Sequence, residues 1–279
     1  MTDSFHRLVP ELKYQQIGYD EKNAVLHMDN SIEILQFWSE GGYFIVRNNI
    51  FPISPGTIII VNAMETHCSN PANTTKYNRS KIILSSECFK RICDLCDFSK
   101  LSAKLFEHGG CMFFLSPVEP TAREADELFL KAEKGYENDC ESSHGEVIGA
   151  VCLLLSLLSR IPSETIKPVT QKSTSQLMIE YINNHMLSWE KLTLETLCSH
   201  LHISPSHAAH LFKELTGKPI ARYAMELRMA EARKMLLHTN LKVTHIAELL
   251  KFKDSTTFCK TFKKYTGCTP QTWRQENGE

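Results

Sequence analysis

The feature that most restricts what this chain can fold into is an internal repeat near its C-terminus. The run Ser206-His-Ala-Ala-His-Leu-Phe-Lys-Glu-Leu-Thr-Gly217 is echoed fifty residues later by Thr256-Thr-Phe-Cys-Lys-Thr-Phe-Lys-Lys-Tyr-Thr-Gly267. Phe212-Lys213 falls on Phe262-Lys263, Thr216-Gly217 on Thr266-Gly267, and the aromatic Tyr223 on Trp273. Self-similarity at a fixed offset means one supersecondary unit built twice.

Both copies read alike in physical terms. A short helix is predicted over Leu194–Leu201 before the first and over Val243–Leu250 before the second. Ser204 and Asp254 are placed to accept bonds from the free N–H groups that open the following helix. Phe212 and Phe262 would bury its inner face, Lys213 and Lys263 would stay outside, and Gly217 and Gly267 supply the left-handed residue that ends it. Two short helices around a tight turn make a helix-turn-helix unit, whose second helix fits a major groove. Ile220–His238 reads as one long helix between the copies, with apolar Met225, Leu227, Met229, Ala232, Leu236 and Leu237. It would hold the units apart so that both second helices meet successive turns of one duplex face, about 34 Å apart.

Charge agrees with this. From residue 171 onward there are 15 basic and 10 acidic residues, against 16 and 22 in the remainder, although the whole chain has a net charge of −1. Opposite signs in two halves suit a nucleic-acid module joined to a module of another kind. A hydrophobic fraction of 42% and a charged fraction of 23% exclude a disordered chain. The longest apolar run, around Val147–Leu158, is interrupted by Gly149 and Ser156, short of the roughly 18–20 residues that span a bilayer. Met1–Pro10 lacks the apolar core of a signal peptide. A cytoplasmic chain with reduced cysteines and no membrane partner is the expectation.

The stretch Arg160–Thr174 carries two prolines and no sustained periodicity, which reads as a linker. Before it, short strands are predicted at Ala24–Met28, Ile32–Trp38, Tyr43–Arg47, Thr57–Val61 and Ser80–Leu84, punctuated by Gly41-Gly42, Asn48-Asn49 and Pro55-Gly56. Helical patterns follow at Glu87–Cys96, Thr121–Asn138 and His144–Ser159. The fold class is therefore α+β: a small antiparallel β-barrel or sandwich with helices over 1–160, a linker over 161–173, and an all-α segment with two helix-turn-helix motifs over 174–279.

The C-terminal segment resembles the AraC/XylS family of bacterial transcription regulators. The match rests on Ile203-Ser-Pro-Ser-His, Leu211-Phe-Lys-Glu-Leu-Thr-Gly217, Leu227-Arg-Met-Ala-Glu-Ala-Arg-Lys-Met-Leu-Leu237, Ile246-Ala247 and Phe262-Lys-Lys-Tyr-Thr-Gly-Cys-Thr-Pro270. The family usually has Gly in the turn of both motifs, where this chain has His202 and Lys251, so each turn must strain a non-Gly residue or bend differently. By position, the resemblance implies base-facing Ser206, His207, Ala209 and His210 in the first unit, and Ser255, Thr256, Thr257, Cys259 and Lys260 in the second. His210 and Lys260 are the long donors suited to guanine acceptors. Lys213, Lys263 and Lys264 suit phosphates. Double-stranded DNA is the implied partner, with RNA polymerase as a second if the protein activates transcription, as the family more often does.

Upstream, Tyr43–His67 reads strand, turn, short strand, Pro-Gly turn, buried strand, loop and His, with His27 and Glu33 before it. This order resembles the cupin-like ligand module found N-terminal to many AraC-type regulators. The resemblance implies a small effector, carbohydrate-related, and a homodimer formed through the following helices. Candidate effector-binding residues are His27, Glu33, Phe37, Trp38 and His67. Strand alternation sets Glu33, Leu35 and Phe37 on one face and Trp38 on the other. Metal-binding cupins use His-x-His followed by Glu and a later His. His27, Glu33 and His67 are too scattered in sequence for that pattern, so no metal and no cofactor is expected.

Cys93-Asp-Leu-Cys96 has no companion pair at zinc spacing, and structural thiols are the expectation. Two rival functions are open: a regulator switched by a protein partner, and a DNA-repair methyltransferase with an AraC-type DNA module. The latter needs a cysteine cluster near the N-terminus, whereas the first cysteine is Cys68.

Overall fold

The computed structural model describes residues 13–18, 26–115, 119–138, 141–161, 173–188 and 192–277. The N-terminal stretch Met1–Pro10, residues 24 and 25 of the first expected strand, and 162–172 of the expected linker lie outside the described residues.

Eight strands come first: β1 (Lys13–Gly18), β2 (Ser31–Phe37), β3 (Gly42–Val46), β4 (Asn49–Pro52), β5 (Thr57–Val61), β6 (His67–Pro71), β7 (Asn78–Ser85) and β8 (Gly110–Phe114). Helices α1 (Ser86–Cys96) and α2 (Ser99–His108) precede β8, and α3 (Pro120–Asn138) and α4 (Glu141–Arg160) follow it. The strands form the sheets expected of a small antiparallel barrel or sandwich. The described strands form a five-stranded sheet, β1-β7-β2-β5-β8, and a separate three-stranded sheet, β4-β3-β6. Both edges of β2 are taken by β5 and β7, while β3 pairs with β4 and β6. The ladder therefore never runs round.

Side-chain alternation builds two cores from the larger sheet. Ile32 and Ile34 of β2, Ile58 and Ile60 of β5, and Ile82 and Leu84 of β7 face the helices, where Phe89, Phe129, Val151 and Leu155 meet them. The alternate residues Leu35, Phe37, Ile59 and Val61 pack with Phe44, Val46 and Phe51 of the smaller sheet. Burial on both faces explains why β5 is the unbroken apolar run Thr57-Ile-Ile-Ile-Val61.

The C-terminal helices are α5 (Thr174–His185), α6 (Leu194–Leu201), α7 (Pro205–Thr216), α8 (Ile220–His238), α9 (Val243–Leu249), α10 (Ser255–Thr266) and α11 (Pro270–Asn277). They enclose two cores that share α8. Phe212, Leu215, Tyr223, Ala224 and Leu227 belong to the first. Met229, Ala232 and Leu236 join Ile246, Phe258 and Phe262 in the second.

The first of these cores continues into the β-rich part, taking in Leu26, Ile45 and Cys68. Polar contacts tie the same seam. Asn70 Nδ2 donates to the carbonyls of Glu214 and Leu215 at the end of α7, at 2.8 and 3.0 Å. The Leu26 N–H donates to Glu226 Oε2 of α8 at 3.0 Å, and Asn183 Nδ2 donates to the Arg47 carbonyl at 3.1 Å.

Candidate functional site

Each helix-turn-helix unit is assembled by local chemistry that the repeat foreshadowed. Helix α6 starts under Thr193, whose hydroxyl accepts the Thr196 N–H, and ends at His202 with φ 56°. Ser204 then caps α7 by accepting the His207 N–H, and Pro205 opens its first turn. In the second unit Lys251 takes φ 57°, and Asp254 caps α10 by accepting the Thr257 N–H at 2.7 Å. Gly217 and Gly267 end α7 and α10 in the left-handed region. The missing turn glycines are thus replaced by strained residues in the same bend, at a cost of roughly 1–2 kcal/mol each.

The second turn has an added support. The Arg228 guanidinium donates through Nη2 to the Leu250 carbonyl and lies 4.4 Å over the Phe252 ring, tying α8 to the chain between α9 and α10. Inside the units, Phe212 meets Tyr223 edge-on at 5.4 Å and Phe262 meets Trp273 edge-on at 6.2 Å. The matched aromatics of the repeat therefore occupy matched places.

The outward faces carry the residues implicated in DNA contact. Ser206, His207, Ala209, His210 and Lys213 of α7 are exposed, as are Thr256, Thr257, Lys260, Lys263 and Lys264 of α10, whereas Ser255 and Cys259 are half-buried. The faces differ in chemistry. The first offers two imidazoles, a hydroxyl and the single ammonium of Lys213, the second hydroxyls and the three ammonium groups of Lys260, Lys263 and Lys264. The Asp254 carboxyl is held below its usual range, first by the Thr257 backbone N–H and then by the Thr257 hydroxyl.

A second constellation lies at the seam side of the β-rich part. His27 pairs with His67 through an isolated antiparallel bridge, and their rings meet edge-on at 4.3 Å. His67 Nε2 lies 3.3 Å from Glu33 Oε2, and Phe44 stacks on the His67 ring at 5.7 Å. Phe37 is one ring further, 5.6 Å from Phe44. Trp38 stands apart: it is 40% exposed and its indole N–H donates to Ser80 Oγ at 3.1 Å. Of the five candidate effector residues, His27, Glu33 and His67 come together, Phe37 is nearby in the apolar core, and Trp38 is elsewhere.

Two members of this cluster were not singled out from sequence. Asp29 Oδ2 lies 4.0 Å from His27 Nε2, and the Lys81 ammonium pairs with Glu33 and lies 3.8 Å from Asp29. The signals were faint: Asp29 follows His27 by two residues, and Lys81 directly precedes the apolar run Ile82-Ile-Leu84. Burial would raise the Glu33 carboxyl, but His67 and Lys81 beside it hold it well below the usual range. Burial and the neighbouring Glu33 charge raise that of Asp29.

Comparison with known proteins bears on the C-terminal part. A family model described as "Helix-turn-helix domain" matches residues 197–276. The chain is 35% identical over 118 residues to the bifunctional transcriptional activator/DNA repair enzyme AdaA of Bacillus subtilis, covering 41% of this chain and 55% of that protein. It is 26% identical over 167 residues to the arabinose operon regulatory protein of Salmonella typhimurium, covering 58% and 57% of the two chains. The chain thus spans little more than half the length of either relative. Among solved structures, the C-terminal domain of AraT from Geobacillus stearothermophilus is 26% identical, covers 39% of this chain and 90% of that one, and superposes with a TM-score of 0.37.

Proposed function

We propose that this chain, whose residues 197–276 match a helix-turn-helix domain, is a sequence-specific DNA-binding transcription regulator of the AraC type. The observation that carries the reading is the duplication: two units, each with a capped second helix, present exposed polar faces from opposite parts of the single helix α8. Ser206 and His210 on α7, and Thr256 and Lys260 on α10, are the base-reading candidates. Lys213, Lys263 and Lys264 are placed for phosphates. Because the two faces differ, the two half-contacts read different bases.

The β-rich part, over 1–160, is the regulatory module in this proposal, joined by 161–173 to the DNA-binding segment 174–279. Its seam with α7 and α8 gives a signal received there a direct route to the first unit. The name of the arabinose operon relative supports a carbohydrate-related effector, and that of AdaA supports activation, hence contact with RNA polymerase. A homodimer through α3 and α4 completes the assembly; Leu130 and Leu153 are exposed on these helices. A non-enzymatic role is favoured by the thiols. Burial pushes Cys68 and Cys93 up to about 11, whereas a methyl-accepting cysteine works as thiolate. No helix among the described residues is long and apolar enough to cross a membrane.

The test is Lys260→Ala, measured on DNA recovered with the protein from cells and on random duplex. If Lys260 reads a base, specific binding weakens by about 1–3 kcal/mol and random binding holds. Equal losses on both would make Lys260 a phosphate contact.

A further inference from the structure

We propose that His27, Asp29 and His67 form a binding site for a divalent transition-metal ion of the zinc class, with the Glu33 carboxylate adjoining it as a fourth group. The proposal is independent of the DNA-binding reading, and it gives the candidate effector residues His27 and His67 a metal to hold instead.

Geometry supplies the first argument. One donor atom from each of the three residues lies within 4.8 Å of the other two. Donors around a tetrahedral zinc, with bonds of about 2.0–2.2 Å, stand roughly 3.4 Å apart. Closing the set therefore asks side-chain ends to move by about 1 Å. His27 and Asp29 are only partly buried, so they can make that move and leave a path for an ion. His67 is fixed and buried.

The second argument is the state of the buried imidazole. His67 Nδ1 lies 2.9 Å from the Glu65 carbonyl. A carbonyl only accepts, so Nδ1 carries hydrogen and the ring turns Nε2 into the cluster. That Nε2 is buried and faces Glu33 Oε2 at 3.3 Å. An imidazole held by a backbone carbonyl on its far nitrogen is the arrangement that orients metal-ligating histidines.

Chemistry selects the ion. Lys81 pairs with Glu33 and lies 3.8 Å from Asp29, so the donors open to an ion are two imidazoles and one carboxylate. Calcium and magnesium want several oxygen ligands, whereas an imidazole-rich set suits zinc, nickel, copper or iron. The site also adjoins the seam. His27 follows Leu26, whose N–H is held by Glu226 of α8, so an ion drawing His27 toward Asp29 and His67 pulls on the contact with the first helix-turn-helix unit.

The experiment uses the full chain without an affinity tag, stripped with a chelator and titrated with cobalt(II), then with zinc as competitor. Expected are one cobalt per chain, visible bands of a four- or five-coordinate ion with no near-ultraviolet thiolate charge-transfer band, and displacement by zinc. His27→Gln and Asp29→Asn should each weaken binding by at least about tenfold, the lower end of what loss of a mere outer-shell partner costs. Circular dichroism of both variants checks that the fold persists. Absence of saturable cobalt binding to the wild-type chain overturns the proposal, as does binding that both folded variants retain, or a thiolate band. DNA binding in the same samples is read separately, so its loss would count against the regulator reading and not against the site.

Discussion

Lys251 holds φ at 57° in a turn where a glycine would rest without strain, and the Arg228–Leu250 contact beside it helps keep that bend. A left-handed L-residue costs roughly 1–2 kcal/mol, and glycine gives back about 0.5–1 kcal/mol of that in unfolded-state entropy. Lys251→Gly should therefore stabilise the protein by about 0.5–1 kcal/mol in urea unfolding, while removing a cation near the second recognition helix. Unchanged or lowered stability would show that the turn is not strained. From sequence, His202 and Lys251 offered two outcomes, strain or a different bend. The choice between them depends on hydrogen bonds, such as Phe252 N–H to the Ala247 carbonyl at 2.9 Å, that no residue type announces.

Helix α10 shows how a single cap sets an element's behaviour. Asp254 carries its depressed carboxyl because the charged form accepts the Thr257 N–H and hydroxyl. A carboxyl lowered on folding contributes stability that is present above its unfolded value of about 3.9 and is lost as pH falls through the lower folded value. The amide of Thr257 should thus keep its protection through the neutral range and lose it below about pH 4. Asp254→Asn, which still accepts but does not titrate, should flatten that profile. A profile unchanged by the substitution would contradict the cap's role. Elements with a strong period or a cap were legible in the sequence: α6, α7, α8 and α10 follow from apolar spacing and punctuation, and β5 from its isoleucine run. Strand β6, His67-Cys-Ser-Asn-Pro71, has neither alternation nor β-rich composition, and it exists because β3 offers it an edge. The polar cluster was half legible. His27, Glu33 and His67 stood out as polar residues in a strand region, but their meeting with Asp29 and Lys81 depends on long-range pairing of β2 with β7 and of His27 with His67.

Across the whole molecule, α8 is the part that everything else uses. Its first half belongs to a core shared with the β-rich part, its second half to a core made with α9 and α10. Glu226, buried on this helix, accepts from Leu26 N–H and from Lys218 Nζ at 2.7 Å, so one carboxylate links the β-rich part to the base of the first unit. The second unit packs on the later half of α8 and reaches its middle through Met225 and Arg228, which gives the two DNA-facing helices a common axis. The central claim is that both units grip one duplex together. Footprinting the full chain on the DNA it is recovered with tests this directly. The account predicts two protected patches on one face, about one helical turn (10–10.5 base pairs) apart, with Lys260→Ala erasing one patch and leaving the other. A single patch, or protection no stronger than on random DNA, would contradict it.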